Sequence, residues 1–153
     1  MNRPPPTRGF CVQGLGEVAI RCANLQPMVN FYRDIIGLPI LSGNQNNDIV
    51  FLRIGDGVDG HTCVLALFQD QPGFQRSRQG SSLHHVALSL SWNQQERAIQ
   101  WYRQHQLDFE IRNFDWIGWR GVFTLDPEGN QVELVAARPD HSGQPQTMES
   151  SDH

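Results

Sequence analysis

The sequence has no cluster of basic residues, no long apolar run and only three cysteines among its 153 residues. Nucleic acids and anionic membranes are bound by clustered cations, so a net charge of −4 without such clusters argues against both partners. No apolar stretch approaches the ~20 residues that cross a bilayer, and the first residues lack the apolar core of a secretory signal. We therefore expect a soluble protein whose partner is a small molecule.

The cysteines indicate a reducing compartment. Cys11, Cys22 and Cys63 are odd in number and lack the spacing of metal ligands. Cys22 and Cys63 fall within predicted strands, where they are expected to be packed, reduced thiols. We therefore expect a cytoplasmic protein.

One pattern occurs twice along the chain. Val18-Ala19 recurs as Val86-Ala87, and Phe31-Tyr32-Arg33 recurs as Trp101-Tyr102-Arg103, at a spacing of about 69 residues. Hydrophobic periodicity and turn residues predict the element order βαβββ in each half. The predicted strands are residues 15–22, 38–41, 49–54, 62–68, 83–90, 109–113, 121–125 and 131–136. We predict one helix after Asn24, its candidate N-cap, with Gly37 at its end, and a second over residues 94–104.

These patterns divide the chain into two modules with polar ends. The predicted organisation is an N-terminal arm (1–13), module 1 (14–69), a linker (70–81), module 2 (82–138) and a C-terminal tail (139–153). The arm and the tail have little to bury and are expected to be flexible.

Three ionisable residues lie on strand faces that otherwise carry small side chains. Strand alternation puts Glu17 beside Ala19, His85 beside Ala87, and Glu133 beside Val135, with apolar side chains on the opposite faces. Each alone is more often a solvated or hydrogen-bonded residue than a functional one. Because Glu17 and His85 occupy equivalent slots of a repeat, however, they are expected to face a common cavity. Converging buried charges need compensation, which a divalent metal supplies.

The segments VAI with FYRDIIGL, HHVAL with WYR, and DPEGNQVEL resemble the vicinal oxygen chelate superfamily over about residues 15–137. That superfamily includes glyoxalase I, extradiol ring-cleaving dioxygenases, fosfomycin-resistance enzymes and bleomycin-binding proteins. The resemblance implies an α+β fold in which two βαβββ modules form a partly open, eight-stranded, barrel-like cup. It also implies a divalent metal and a substrate that presents two neighbouring oxygens.

The resemblance implies a ligand set position by position. Glu17, His85 and Glu133 occupy the metal-ligand slots, whereas the fourth slot of glyoxalase-like members holds Ala66. Related three-ligand enzymes usually have His where this chain has Glu17. Two carboxylates with one imidazole make an oxygen-rich site, for which we expect Mn²⁺, Fe²⁺, Co²⁺ or Ni²⁺. Glu17 and Glu133 are also the predicted catalytic carboxylates, with Glu17 able to leave the metal and take a proton.

Other polar and aromatic residues are candidates for substrate binding. Arg21 shares the predicted face of Glu17 and either binds substrate or forms an ion pair with that glutamate. Trp119 and Arg120 immediately precede the predicted strand 121–125, where an aromatic wall and a guanidinium suit a planar or anionic substrate; packing is the alternative for the tryptophan. Alternation is expected to point His84 away from His85, in a structural role.

Two functions from different classes remain open. The first is a metal-dependent lyase, isomerase or ring-cleaving dioxygenase in which the metal acts as a Lewis acid. The second is a metal-free protein that binds or sequesters a small molecule, as bleomycin-resistance proteins do. In either case the resemblance and the open sheet edges favour a homodimer.

Overall fold

A computed structural model describes residues 9–44, 46–73 and 82–140. Most of the predicted linker and tail, and the first part of the N-terminal arm, lie outside the described residues. Within these ranges no helix is long and apolar enough to cross a membrane.

Both halves have the predicted element order. Module 1 contains β1 (Glu17–Cys22), α1 (Leu25–Asn30), β2 (Ile40–Ser42), β3 (Ile49–Asp56) and β4 (Thr62–Gln69). Helix α1 continues as a π-helical turn over Phe31–Ile35. Module 2 contains β5 (Val86–Ser89), α2 (Trp92–Gln104), β6 (Glu110–Phe114), β7 (Trp119–Leu125) and β8 (Gln131–Ala137). The predicted duplication of a βαβββ unit is confirmed.

The two sheets have the same topology. Their strand orders are β1-β4-β3-β2 and β5-β8-β7-β6. In each sheet the first strand of the module pairs in parallel with the last, and the remaining neighbours are antiparallel. The predicted α+β class is confirmed, with two open four-stranded sheets that fit an open cup. Strands β1 and β5 each stand at the end of their sheet.

One apolar core joins the modules. It consists of buried side chains from α1, α2 and the helix-facing sides of both sheets, including Met28, Tyr32, Leu65, Tyr102 and Val132. Alternation explains this face, because Val18, Ile20 and Cys22 follow one side of β1 as predicted. The opposite face of each sheet is left for polar groups.

The turn after β7 holds the modules together. Glu128 accepts hydrogen bonds from the backbone N–H groups of Ala23 (2.8 Å) and Asn24 (3.1 Å). Asn24 itself makes no side-chain cap, so the expected local cap is replaced by a carboxylate from the other module. The predicted end of this helical segment is confirmed, since Gly37 has φ of 88°.

Candidate metal and substrate site

His85 and Glu133 meet on the open face of the second sheet. The register aligns Ala87 of β5, Glu133 of β8 and Phe123 of β7, so these residues face the same side. His85, which immediately precedes β5, places Nε2 at 3.1 Å from Oε2 of Glu133. The side chain of Glu133 is 6% exposed and that of His85 is 33% exposed. The structure thus brings together two of the three predicted metal ligands.

A glycine in β7 makes room for this carboxylate. A Cβ at Gly121 would lie 2.3 Å from Oε1 of Glu133 and 2.6 Å from a ring carbon of Phe123. Both distances are shorter than real Cβ contacts, so a side chain at position 121 would force Glu133 or Phe123 to move. The sequence held a usable signal, because a glycine inside a strand often marks such a close approach.

The buried carboxylate is only partly compensated. Desolvation raises the pKa of Glu133 above its usual value, while the charges of His85 and Arg112 act to lower it. A carboxylate in this setting favours an added positive charge beside it.

Arg112 and Phe123 extend the site beyond the predicted residues. Arg112 of β6 binds both carboxylate oxygens of Glu110, at 3.0 and 2.9 Å, and its Cζ lies 4.6 Å from the ring centroid of Phe123. Phe123 also packs edge to face with His85, with ring centroids 5.8 Å apart. Sequence reasoning missed both residues, because the pairing of β6 with β7 was needed to place them beside Glu133.

Glu17 is not brought to the His85–Glu133 pair. It is exposed on β1, and no three His, Cys, Asp or Glu side chains of the described residues form a group suited to holding a metal. Arg21 lies 3.8 Å from Asp70 and forms an ion pair with it. Ala66, in the fourth slot, is fully buried and pairs with Ala19 of β1.

The two predicted residues of β7 lie on opposite faces. Trp119 alternates with Gly121 and Phe123, which puts it on the face of Glu133, where it is 42% exposed. Arg120 points to the helix side, donates to Gln95 at 2.6 Å and Glu96 at 2.5 Å, and stacks over Trp92 at 3.7 Å. The structure therefore gives Arg120 a role in fixing α2 against the sheet, away from the proposed substrate site.

The orientation of His84 differs from the one predicted. Its Nδ1 lies 2.7 Å from Nδ1 of His85, although strand alternation predicted that the two rings would diverge. The reason is that β5 begins only at Val86, so the strict alternation of a strand does not extend to His84.

The repeated βαβββ modules, the open faces and the paired imidazole and carboxylate define the class of protein. A model of the glyoxalase/bleomycin resistance protein/dioxygenase superfamily matches residues 14–134, and the chain belongs to that superfamily. The superfamily resemblance seen in the sequence is confirmed.

Similar proteins include the metallothiol transferase FosB of Staphylococcus haemolyticus strain JCSC1435, which is 22% identical over 80% of this chain and 83% of its own length. The metallothiol transferase FosB of Staphylococcus epidermidis strain ATCC 12228 is 24% identical over 80% of this chain and 81% of its own. The fold is similar to lactoylglutathione lyase from Agrobacterium tumefaciens, with a TM-score of 0.61, 18% identity, and coverage of 86% of this chain and 95% of that one.

Proposed function

We propose that the protein is a divalent-metal-dependent enzyme whose metal is held by His85, Glu133 and Glu17. The observation that carries this proposal is the 3.1 Å separation of His85 Nε2 from Glu133 Oε2. Two ligands that each lie about 2.1 Å from one ion, at right angles, are about 3 Å apart. The donor chemistry also fits, because an imidazole nitrogen and a buried carboxylate oxygen suit Mn²⁺, Fe²⁺, Co²⁺ or Ni²⁺.

The third ligand is proposed to come from a second copy of the chain. Glu17 lies on an exposed face of β1, and β1 and β5 are both terminal strands with one unpaired edge. A groove of about 410 Å³ between the modules reaches His85 and the residues of β5, and is otherwise lined by apolar side chains including Leu15, Val18 and Leu83. A twofold dimer that places β1 of one copy along this region would bring the partner subunit's Glu17 to the His85–Glu133 pair.

The substrate is proposed to be a small anion with two adjacent oxygens. Arg112 supplies a guanidinium beside Glu133, and Phe123 and Trp119 supply aromatic surface on the same face. A bound divalent ion would act as a Lewis acid on a substrate oxygen. Arg112 would hold the anionic end of the substrate, and a carboxylate oxygen of Glu17 is proposed to accept the proton that the reacting group loses.

Thiol addition is the reaction to test first. The relatives named metallothiol transferases cover most of the chain, and two carboxylates with one imidazole favour Lewis-acid chemistry over the oxygen activation of a ring-cleaving dioxygenase. Lyase and isomerase reactions use the same Lewis acid. The cytoplasm, which keeps thiols reduced, is the proposed location.

Calorimetric titration tests the metal site. Protein freed of metal by a chelator should bind Mn²⁺ at about one ion per chain, because each chain has one His85–Glu133 pair. The variants His85→Ala, Glu133→Ala and Glu17→Ala should each bind Mn²⁺ far more weakly. The control is His61→Ala, which removes an exposed histidine before β4 and should match the wild type. Equally weak binding by all five proteins would contradict the proposal.

A metal-free binding protein is the second candidate. It is favoured by the fact that a single chain groups no three ligands among its described residues. In that case chelated protein should bind small anions through Arg112 as well as metal-treated protein does. A requirement for metal in anion binding would exclude this candidate.

A further inference from the structure

The imidazoles of His84 and His85 share a hydrogen bond whose direction depends on His85. Their Nδ1 atoms are 2.7 Å apart and their rings are nearly perpendicular, at 80°. A hydrogen bond between these atoms requires a proton on one Nδ1 and a lone pair on the other. The state of His85 therefore sets the tautomer of His84.

Without metal, Glu133 sets the direction. Its carboxylate accepts hydrogen bonds and faces Nε2 of His85 at 3.1 Å, so the proton of neutral His85 belongs on Nε2. Nδ1 of His85 is then the acceptor, and His84 donates from its own Nδ1.

With metal bound, the direction reverses. This step rests on the proposed function, in which the lone pair of His85 Nε2 faces the ion. The proton of His85 must then lie on Nδ1, from which it is donated to Nδ1 of His84. His84 holds its own proton on Nε2, and its exposed side chain leaves that nitrogen open to solvent. Each imidazole keeps one proton, so the pair neither gains nor loses a proton.

We propose that His84 is a positioning residue that holds the ring of His85 in both states. Metal-binding histidines almost always donate their second ring N–H to a fixed acceptor such as a carboxylate or a carbonyl. Such an acceptor would face the lone pair of His85 Nδ1 in the metal-free protein and repel it. An imidazole serves as donor or acceptor, so His84 orients His85 before and after the metal arrives.

Nitrogen NMR of the imidazoles tests the metal-free state. At mildly alkaline pH, where imidazoles are neutral, chelated wild-type protein should show His85 protonated on Nε2 and His84 on Nδ1. Addition of Zn²⁺, a diamagnetic probe ion, should move both protons to the other ring nitrogen. His84→Ala should leave His85 protonated on Nε2, because Glu133 still faces that nitrogen, but the nuclear Overhauser contacts between the rings of His85 and Phe123 should weaken as the His85 ring loses its fixed orientation. His84→Asn should preserve these contacts, because an amide can also donate or accept near this position.

Calorimetry with Mn²⁺ supplies the second readout. His84→Ala should lose about 10- to 100-fold in affinity, as outer partners of metal ligands typically do, and His84→Asn should recover most of it. The matched control is His61→Ala. A His84→Ala variant equal to that control in affinity and in the contacts of the His85 ring with Phe123 would overturn the proposal, as would chelated wild-type protein with His85 protonated on Nδ1.

Failure of the proposed function looks different. Wild-type protein that binds no ion but shows the expected metal-free tautomers, with the contacts of the His85 ring to Phe123 lost in His84→Ala, would overturn the metal site and the reversal while upholding the contact between the two histidines.

Discussion

At the scale of single residues, the buried charge of Glu133 lowers the stability of the fold, although the proposed function requires that charge. Its folded-state pKa is raised, mainly by burial. The protonated form therefore stabilises the fold below the unfolded-state pKa, and that contribution is lost as pH rises through the folded-state pKa. At neutral pH the ionised carboxylate is a cost that a metal would offset.

Glu133→Gln should therefore stabilise the chelated protein at neutral pH by on the order of 1 kcal/mol, because the amide keeps the shape and accepts from His85 without a buried charge. The advantage should shrink below pH about 4, where the wild-type glutamate is protonated as well. Urea unfolding at both pH values measures it. A variant less stable than the wild type at neutral pH would show that the charge of Glu133 is well compensated within the chain.

Gly121 leads to a second prediction at this scale. Gly121→Ala should displace Glu133 from His85, because the added Cβ would lie 2.3 Å from Oε1. We expect metal affinity to fall about 10- to 100-fold, comparable to the loss of an outer partner of a metal ligand. Gly55→Ala is the matched control, since Gly55 is also within a strand and a Cβ there meets nothing within 4 Å. Titration of both variants with Mn²⁺ tests this prediction. Equal affinities would contradict the placement of Glu133 against Gly121 and His85.

At the scale of elements, the turn between β7 and β8 is a structural joint between the modules. Asp126 accepts from the backbone N–H groups of Glu128 and Asn130, at 3.0 and 2.9 Å, and from the hydroxyl of Tyr32 at 2.8 Å. The same aspartate thus orders the turn and binds the helical segment of module 1. The sequence DPEGN predicted the turn, but nothing local predicted its contact with Tyr32, 94 residues away.

The repeat provides a matched pair of tyrosines for testing this joint. Tyr32→Phe should destabilise the protein by about 1 to 2 kcal/mol, because Asp126 loses a buried hydrogen-bond donor. Tyr102→Phe should be neutral or stabilising, because its buried hydroxyl has no hydrogen-bond partner among the described residues. Thermal and urea unfolding compare the two. Equal losses would mean that the hydroxyl of Tyr32 contributes nothing beyond ring packing.

The same elements show which features of the fold and the site could be predicted from the sequence. The duplicated pattern predicted both βαβββ units, and alternation within strands placed His85 and Glu133 on one face. Arg112 and Phe123 were missed because the cross-strand register that brings them beside Glu133 cannot be determined from any one strand. Arg120 was expected in the substrate site for the same reason: without the register of β7 against β8, its side of the strand was undetermined.

At the scale of the whole molecule, the described residues of one chain bring together two of the three proposed metal ligands. The His85–Glu133 pair belongs to module 2. Glu17 lies on an exposed face of module 1 and is not brought to this pair. If the dimer supplies Glu17 in trans, each of two equivalent sites combines module 1 of one copy with module 2 of the other. Sedimentation should then show a dimer at micromolar concentration.

Mixed dimers give the sharpest test of that arrangement. Glu17→Ala and His85→Ala homodimers should each lack tight Mn²⁺ binding, because every site has lost a ligand. After the two variants are unfolded together and refolded, about half of the dimers should be mixed. If the partner subunit supplies Glu17, one of the two metal sites in each mixed dimer carries both substitutions and the other keeps all three ligands. Tight binding should therefore return to about a quarter of all sites. A site built within each chain would stay broken in every dimer. Calorimetry of the refolded mixture, with each variant refolded alone as its control, therefore distinguishes the two arrangements, and no recovery in a mixture that sediments as dimers would rule out a ligand supplied by the partner.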